Sequence, residues 1–211
     1  MRKVVGTGCI VLGLACLIAA IGLLVYNSNE VKNGAKNSQM LLQNLQENMQ
    51  NTGTYETVMP ENTPDETLPE EAFESAYRQM QAVPAGNYES IGILTIPVLE
   101  LELPVLTDWT YEKLKSAPCH YYGSCYETDF VIAAHNYPTH FGRLSQLQTG
   151  DLVIFTDTTG TVHAYEVVLL ETLSATAIEE MITSGFDLSL YTCTPGGASR
   201  VTVRCSKVNL S

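Results

Sequence analysis

The sequence predicts a mostly β domain, a barrel or sandwich of largely antiparallel strands, placed behind an N-terminal apolar helix and an acidic linker. Three observations predict it. An apolar run without charge extends from Val4 to Tyr26, a polar acidic stretch follows from Asn27 to about Gly86, and from Tyr88 onward short β-branched runs alternate with turn residues. A chain of 211 residues accommodates one domain of ordinary size plus these appendages. With 23 Asp+Glu against 11 Lys+Arg it lacks the basic footprint that phosphate backbones require, which argues against nucleic acid as a partner.

The N-terminal run comes first. Arg2 and Lys3 precede it, and its length is what a helix needs to cross a bilayer. A cleaved signal peptide is the rival reading. Its apolar region would span only about 7–15 residues and end in a small-x-small site, whereas this chain runs on as Val25-Tyr26-Asn27. Residues 1–26 are therefore read as a cytoplasmic tip and an uncleaved signal-anchor. The basic residues before the span put the N-terminus in the cytoplasm and everything after Asn27 outside, giving a single-pass protein of the cell membrane. Residues 27–86 are read as an extracellular acidic stalk that lifts a domain off the membrane. Within it, 36–50 has good helix formers and a weak apolar face of Leu41, Leu42 and Leu45. Residues 51–70 are rich in Thr, Asn, Glu and Pro and read as linker, and Glu71–Met80 has the spacing of a short helix.

Residues 87–211 form the folded domain. Strands are expected at Ile91–Ile96, Leu101–Leu106, Phe130–Ala134, Asp151–Thr156, Thr161–Glu171, Leu188–Cys193 and Arg200–Lys207, with a hairpin at Gly160. Thr110–Lys115 and Thr176–Ser184 have helical spacing.

Six cysteines divide by position. Cys9 and Cys16 lie in the apolar run. Cys119, Cys125, Cys193 and Cys205 lie in the outer domain, where Cys119 and Cys125 are close enough in sequence to bridge a local loop. Their spacing is not that of a zinc site, and no metal or other cofactor is expected. Cys193 ends an apolar run and precedes Thr194-Pro195-Gly196-Gly197, so a strand end holds it and a loop leaves it accessible. His135 ends the run Phe130–Ala134, and Arg200 opens the next run after the Cys193 loop. Thiol acyl transfer needs a thiolate, a proton donor for the leaving amine and charge stabilisation for an oxyanion; these three residue types supply all three. His120 reads as structural, His140 as too loosely spaced from His135 for a metal pair, and His163 as an exposed strand position.

The run Leu190-Tyr191-Thr192-Cys193 resembles the sortase signature, a Leu-x-Thr-Cys strand completed by an arginine that opens a strand a few residues later. Ile91–Pro97 and Leu103–Leu106 resemble the first two strands of the sortase barrel. Cys119-His120-Tyr121 resembles a family Gly-His-Tyr stretch, and Ala134-His135-Asn136 its His motif. The resemblance covers about Tyr88 to Val208. It implies an eight-stranded sortase-type β-barrel and a transpeptidase with Cys193 as nucleophile, His135 as acid and base, and Arg200 on the oxyanion, flanked by Thr192, Ala134 and Asn136 as substrate-binding positions. Register against the signature favours Arg200 over Arg204, which faces the same side of the strand. The implied substrates are surface proteins with a C-terminal Leu-Pro-x-Thr-Gly-like sorting signal, and the implied acceptor is a cell-wall precursor or other amine. Lid-bearing, pilin-polymerising members carry an Asp-Pro-aromatic motif ahead of the barrel. Here Asp108-Trp109 lies within the barrel region and lacks the proline, which argues against that subgroup. The rival readings are an extracellular cysteine peptidase that hydrolyses with the same residues, and a tethered non-enzymatic binding barrel with Cys193 in a disulfide to Cys205.

Overall fold

The computed structural model describes residues 2–52 and 80–209. Its first element, α1, runs from Arg2 to Thr52, a continuous helix of 51 residues. Residues 12–29 of it are exposed, and among the described residues this is the helix long and apolar enough to cross a membrane. Its C-terminal half packs on the barrel through a stripe at Gly34, Ser38, Leu41 and Leu45, the spacing that returns to one face of a helix. Leu41 is buried with Leu106, Ala117 and Cys119, and Leu45 with Val83, Ala85 and Ile93. Residues 51–70 and the short helix expected over Glu71–Met80 lie essentially outside the described residues.

The strands are β1 (Val83–Ala85), β2 (Tyr88–Ile96), β3 (Leu101–Leu106), β4 (Cys119–Tyr122), β5 (Phe130–Ala133), β6 (Leu152–Asp157), β7 (Val162–Ser174), β8 (Leu188–Cys193) and β9 (Ser199–Val208). They pair in the order β1-β2-β3-β4-β5-β8-β9-β7-β6, and a β2–β6 ladder closes strands β2 to β9 into an eight-stranded barrel. Closure removes the sheet edges that would otherwise invite foreign strands. Gly92 is required there: a side chain on it would run into the Thr156 carbonyl oxygen and lie 2.9 Å from Cα of Asp157, its partner across the closing ladder. Leu94, Phe130, Ile132, Phe155, Leu190 and Val203 fill the interior with no solvent exposure. Two short helices, α2 (Tyr111–Leu114) and α3 (Ile178–Ile182), lie in loops. The Thr110 hydroxyl caps α2 by accepting from the Lys113 N–H at 3.2 Å.

All seven expected strands and both expected helices are present. The short strands β1 and β4 are additional. His163 departs from expectation: it lies on β7 but is buried, its Nε2 3.0 Å from Asp157 Oδ2. Cys119, Cys125 and Cys205 are free, buried thiols, so neither the Cys119–Cys125 bridge nor the Cys193–Cys205 bridge forms. Burial pushes each of the three up to about 12, which makes them neutral core residues.

One topological feature positions the site. β5 and β8 pair in parallel, Phe130 with Leu188 through Ala133 with Tyr191, so both strands end at the same rim of the barrel. β9 returns antiparallel from that rim and begins where β8 ends.

Candidate active site

The parallel pair delivers Cys193 and His135 together. Cys193 is the last residue of β8, and His135 follows β5 by two residues. Arg200 pairs directly with Cys193 across the β8–β9 ladder. The loop between them turns through Gly196 and Gly197, both with positive φ (85° and 75°), a conformation that glycine adopts without a Cβ penalty. Its closing bonds run from Gly197 N–H to Thr194 O (2.8 Å) and from Thr194 N–H to Ser199 O (3.0 Å). The amide immediately after Cys193 is therefore already spent. Arg200 Nη1 donates to the carbonyls of Gly197 (3.0 Å) and Ser199 (3.1 Å), which holds the guanidinium at this rim.

Cys193, His135 and Arg200 all line one cleft of about 280 Å³. Ala133 lines it from the end of β5 and Ala134 from the residue after it, and Ala177, Ile178 and Met181 from the β7–β8 connection. Four aromatic residues, Trp109, Tyr111, Tyr121 and Tyr191, also line it. Trp109 packs on Tyr121 at 5.9 Å and Tyr121 edge-on to Tyr191 at 5.3 Å. Sequence reasoning missed this aromatic stripe, although the chain's single tryptophan and Tyr121-Tyr122 stand beside recognised motifs.

The loop after β5 is tightly built. Phe141, fully buried, anchors it, and its N–H donates to His135 O at 3.1 Å. The His140 and Gly142 amides both donate to Tyr137 O at 2.9 Å. The Tyr137 ring stacks on His135 with centroids 4.9 Å apart and planes 17° apart. Burial lowers the His135 pKa, opposed by the charge of Glu30 and reinforced by that of Lys115, so the neutral ring dominates at neutral pH.

The other expected positions separate. Ala134 lines the cleft. Thr192 is buried beneath it, its hydroxyl donating to Ala134 O at 2.8 Å, so it ties the β5 rim to the β8 rim. Asn136 is exposed and is not among the residues that line the cleft. Arg204 is buried at 1% exposure and donates to Glu171 (2.7 Å), Ser189 Oγ (2.8 Å) and the carbonyls of Glu180 (2.7 Å) and Met181 (3.3 Å), which pins α3 against the barrel. His120 is a loop fastener between Thr107 O (3.2 Å) and Gly123 O (2.8 Å).

A separate grouping of Cys125, Asp157 and His163 brings ligand-type atoms within 4.8 Å of one another. It lies at the opposite rim: His163 is at the start of β7, whose far end, Ser174, pairs with Ser199 beside the cleft. Asp157 is already saturated, accepting from Thr159 and Thr161 amides (2.9 and 3.0 Å), Thr159 Oγ1 (2.6 Å), Tyr126 Oη (2.7 Å) and His163. Such a closed network stitches the β6–β7 hairpin to the loop after β4 and leaves no open coordination position.

Residues 94–208, more than half of the chain, match the sortase domain. The chain belongs to the sortase family. No curated protein matches its sequence. Solved structures with the same fold include a Clostridium perfringens sortase D5 transpeptidase (16% identity, TM-score 0.58, covering 82% of this chain and 99% of that one). Sortase A from Corynebacterium diphtheriae is similar at 18% identity and TM-score 0.54, over 92% and 96% of the two chains. Sortase C1 of Streptococcus agalactiae is similar at 24% and 0.51, over 57% and 68%. This sortase is a cysteine transpeptidase, and its barrel, short helices and N-terminal apolar helix match the family's architecture.

Proposed function

We propose that this sortase cleaves a Leu-Pro-x-Thr-Gly-like sorting signal through Cys193 and transfers the surface protein to an amine, on the outer face of the membrane that α1 spans. The observation that carries the reading is the convergence of Cys193, Arg200 and His135 on one cleft, brought about by the parallel β5–β8 pair and the β8–β9 ladder.

The chemistry follows from those positions. His135, neutral at rest, takes the Cys193 proton, and the resulting thiolate attacks the threonine carbonyl carbon while Arg200 stabilises the oxyanion that forms. Protonated His135 gives its proton to the departing glycine nitrogen as the C–N bond breaks, leaving a thioester and a neutral imidazole. The incoming amine then attacks the thioester carbonyl while His135 takes its proton, and the Cys193 thiolate leaves. The apolar lining of Ile178, Met181 and Ala177 suits the Leu-Pro end of such a signal. A cell-wall precursor amine is the acceptor class consistent with a membrane-tethered domain, and Arg2 and Lys3 ahead of the span favour a cytoplasmic N-terminus.

The test is product analysis of the full chain in detergent with a Leu-Pro-Ala-Thr-Gly peptide, with and without triglycine. Amine-bearing product that displaces hydrolysis as triglycine rises supports transfer. Hydrolysis insensitive to the amine supports a peptidase instead.

A further inference from the structure

The anchor helix does more than end near the active site. Gly34 of α1 is buried against the barrel, and a side chain there would lie 2.8 Å from the backbone carbonyl of Lys115 and 3.1 Å from two carbons of the Tyr137 ring. The same Tyr137 ring stacks on His135 with centroids 4.9 Å apart. One turn along, the Asn37 amide donates to Ser116 Oγ at 3.4 Å, so the same stretch of helix is fastened to the loop after α2. Four residues before Gly34, Glu30 accepts from Tyr26 Oη at 3.2 Å, at the point where the exposed apolar surface of the helix gives way to the packed stripe.

We propose that the juxtamembrane turn of α1, Glu30 to Gly34, positions the catalytic imidazole of His135 by clamping Tyr137 against it, making the anchor helix a wall of the active site. The proposal rests on His135 being the acid and base of the reaction. Tyr137 then touches both the helix at Gly34 and the imidazole, so its ring carries the position of one to the other. A ring held in that way restricts the tilt of His135, and an error of about 1 Å at a proton-transfer group costs up to about a hundredfold in rate. Glycine is what allows the contact: any other residue at 34 pushes on a backbone carbonyl, which cannot give way cheaply.

Electrostatics run through the same contact. The charged and titratable groups around His135 and the Tyr137 stacked on it are Glu30 and, toward Tyr137, Tyr26 from α1, Lys115 after α2, and His140 from the same loop, while Cys193 and Arg200 share its cleft from β8 and β9. Glu30 favours the imidazolium and Lys115 opposes it. The helix therefore brings both a steric stop and a counter-charge, immediately above the membrane.

The experiment uses the full chain in detergent micelles. The His135 ring titration is followed by NMR, assigned by its absence in His135→Asn, and Cys193 alkylation by iodoacetamide is followed against pH. Alanine in place of a helical glycine ordinarily strengthens a helix, so a helix that is only a tether predicts a Gly34→Ala variant with unchanged His135 resonances and alkylation profile. The proposal predicts shifted His135 resonances, an altered alkylation profile and turnover of the peptide reduced about tenfold, with the thermal unfolding of the barrel within a degree or two. Glu30→Gln moves the His135 midpoint to lower pH and Lys115→Gln moves it to higher pH. If Gly34→Ala and both charge variants leave the His135 titration and resonances in place, the proposal is overturned. If instead His135→Asn keeps full peptide turnover, the catalytic assignment of His135 fails. The ring titration still reports separately whether the helix positions it.

Discussion

Thr192 is the hinge pin between the two halves of the site. Its hydroxyl is the partner of the Ala134 carbonyl, which lies past the end of β5 and outside the β ladder. Thr192→Val keeps the shape of the side chain and removes that donor. A buried carbonyl left without a partner costs about 1–3 kcal/mol. For a folded part of roughly 130 residues, with about 2.1 cal/mol/K per residue of unfolding entropy, this lowers Tm by about 4–11 °C. The carbonyl belongs to the residue before His135, so the loss is also felt in the reaction: the β5 rim relaxes away from β8 and the imidazole loses register with Cys193. Turnover of a Leu-Pro-Ala-Thr-Gly peptide with triglycine should fall about tenfold or more, while Thr192→Ser restores most of both. Calorimetry and steady-state kinetics on the three proteins test this together. A valine variant that melts and turns over like the parent would refute the reasoning.

Three further expectations concern the same rim. Cys193→Ala abolishes turnover and leaves Tm within about 1 °C, because the half-buried side chain ends a strand whose other contacts are intact; a large drop in Tm would make Cys193 structural. Arg204→Met strands the Glu180 and Met181 carbonyls and the Glu171 carboxylate and costs about 3–5 kcal/mol, measured by chemical unfolding, with KM for the peptide rising as α3 loosens. His140 is fully buried, and burial, helped by the charge of His135 and opposed by the Gly34 carbonyl, lowers its pKa to about 4. Its unfolded pKa of about 6.5 lies above the folded one, so the unfolded chain takes up the proton first. The stability tied to neutral His140, about 3 kcal/mol, is present above pH 6.5 and is lost as pH falls toward 4. Unfolding free energies of His140→Gln should lose that slope, and an unchanged slope would contradict the assignment.

Much of this was legible in the residues. β-branched runs bounded by Gly, Pro and Asp marked seven strands, and each has the length and burial of a barrel strand. β1 and β4 escaped because they are three and four residues long; β1 contains Pro84 and β4 carries no alternating pattern. His163, expected at an exposed strand position, sits opposite Phe155 in the β6–β7 ladder and is buried with its imidazole on Asp157, a partner that the strand pattern alone does not reveal. Cys193, His135 and Arg200 announced themselves by ending or opening strands. What placed them together, a parallel pairing between strands 55 or more residues apart in sequence, has no local signal. The helix stripe was equally hidden: Gly34 and Ser38 are small residues in a polar stretch, and only the barrel surface makes them an interface. Leu41 and Leu45, by contrast, were visible as an apolar face and are the two residues of it that are buried.

The central claim is that Cys193 carries the acyl group. Intact-protein mass spectrometry of the full chain, quenched in acid during turnover of a Leu-Pro-Ala-Thr-Gly peptide, tests it most directly. A mass increase equal to the peptide less its glycine, mapped to Cys193 and discharged by triglycine, is the predicted result. Amine-dependent turnover with the adduct on another residue, or persisting in Cys193→Ala, would contradict it.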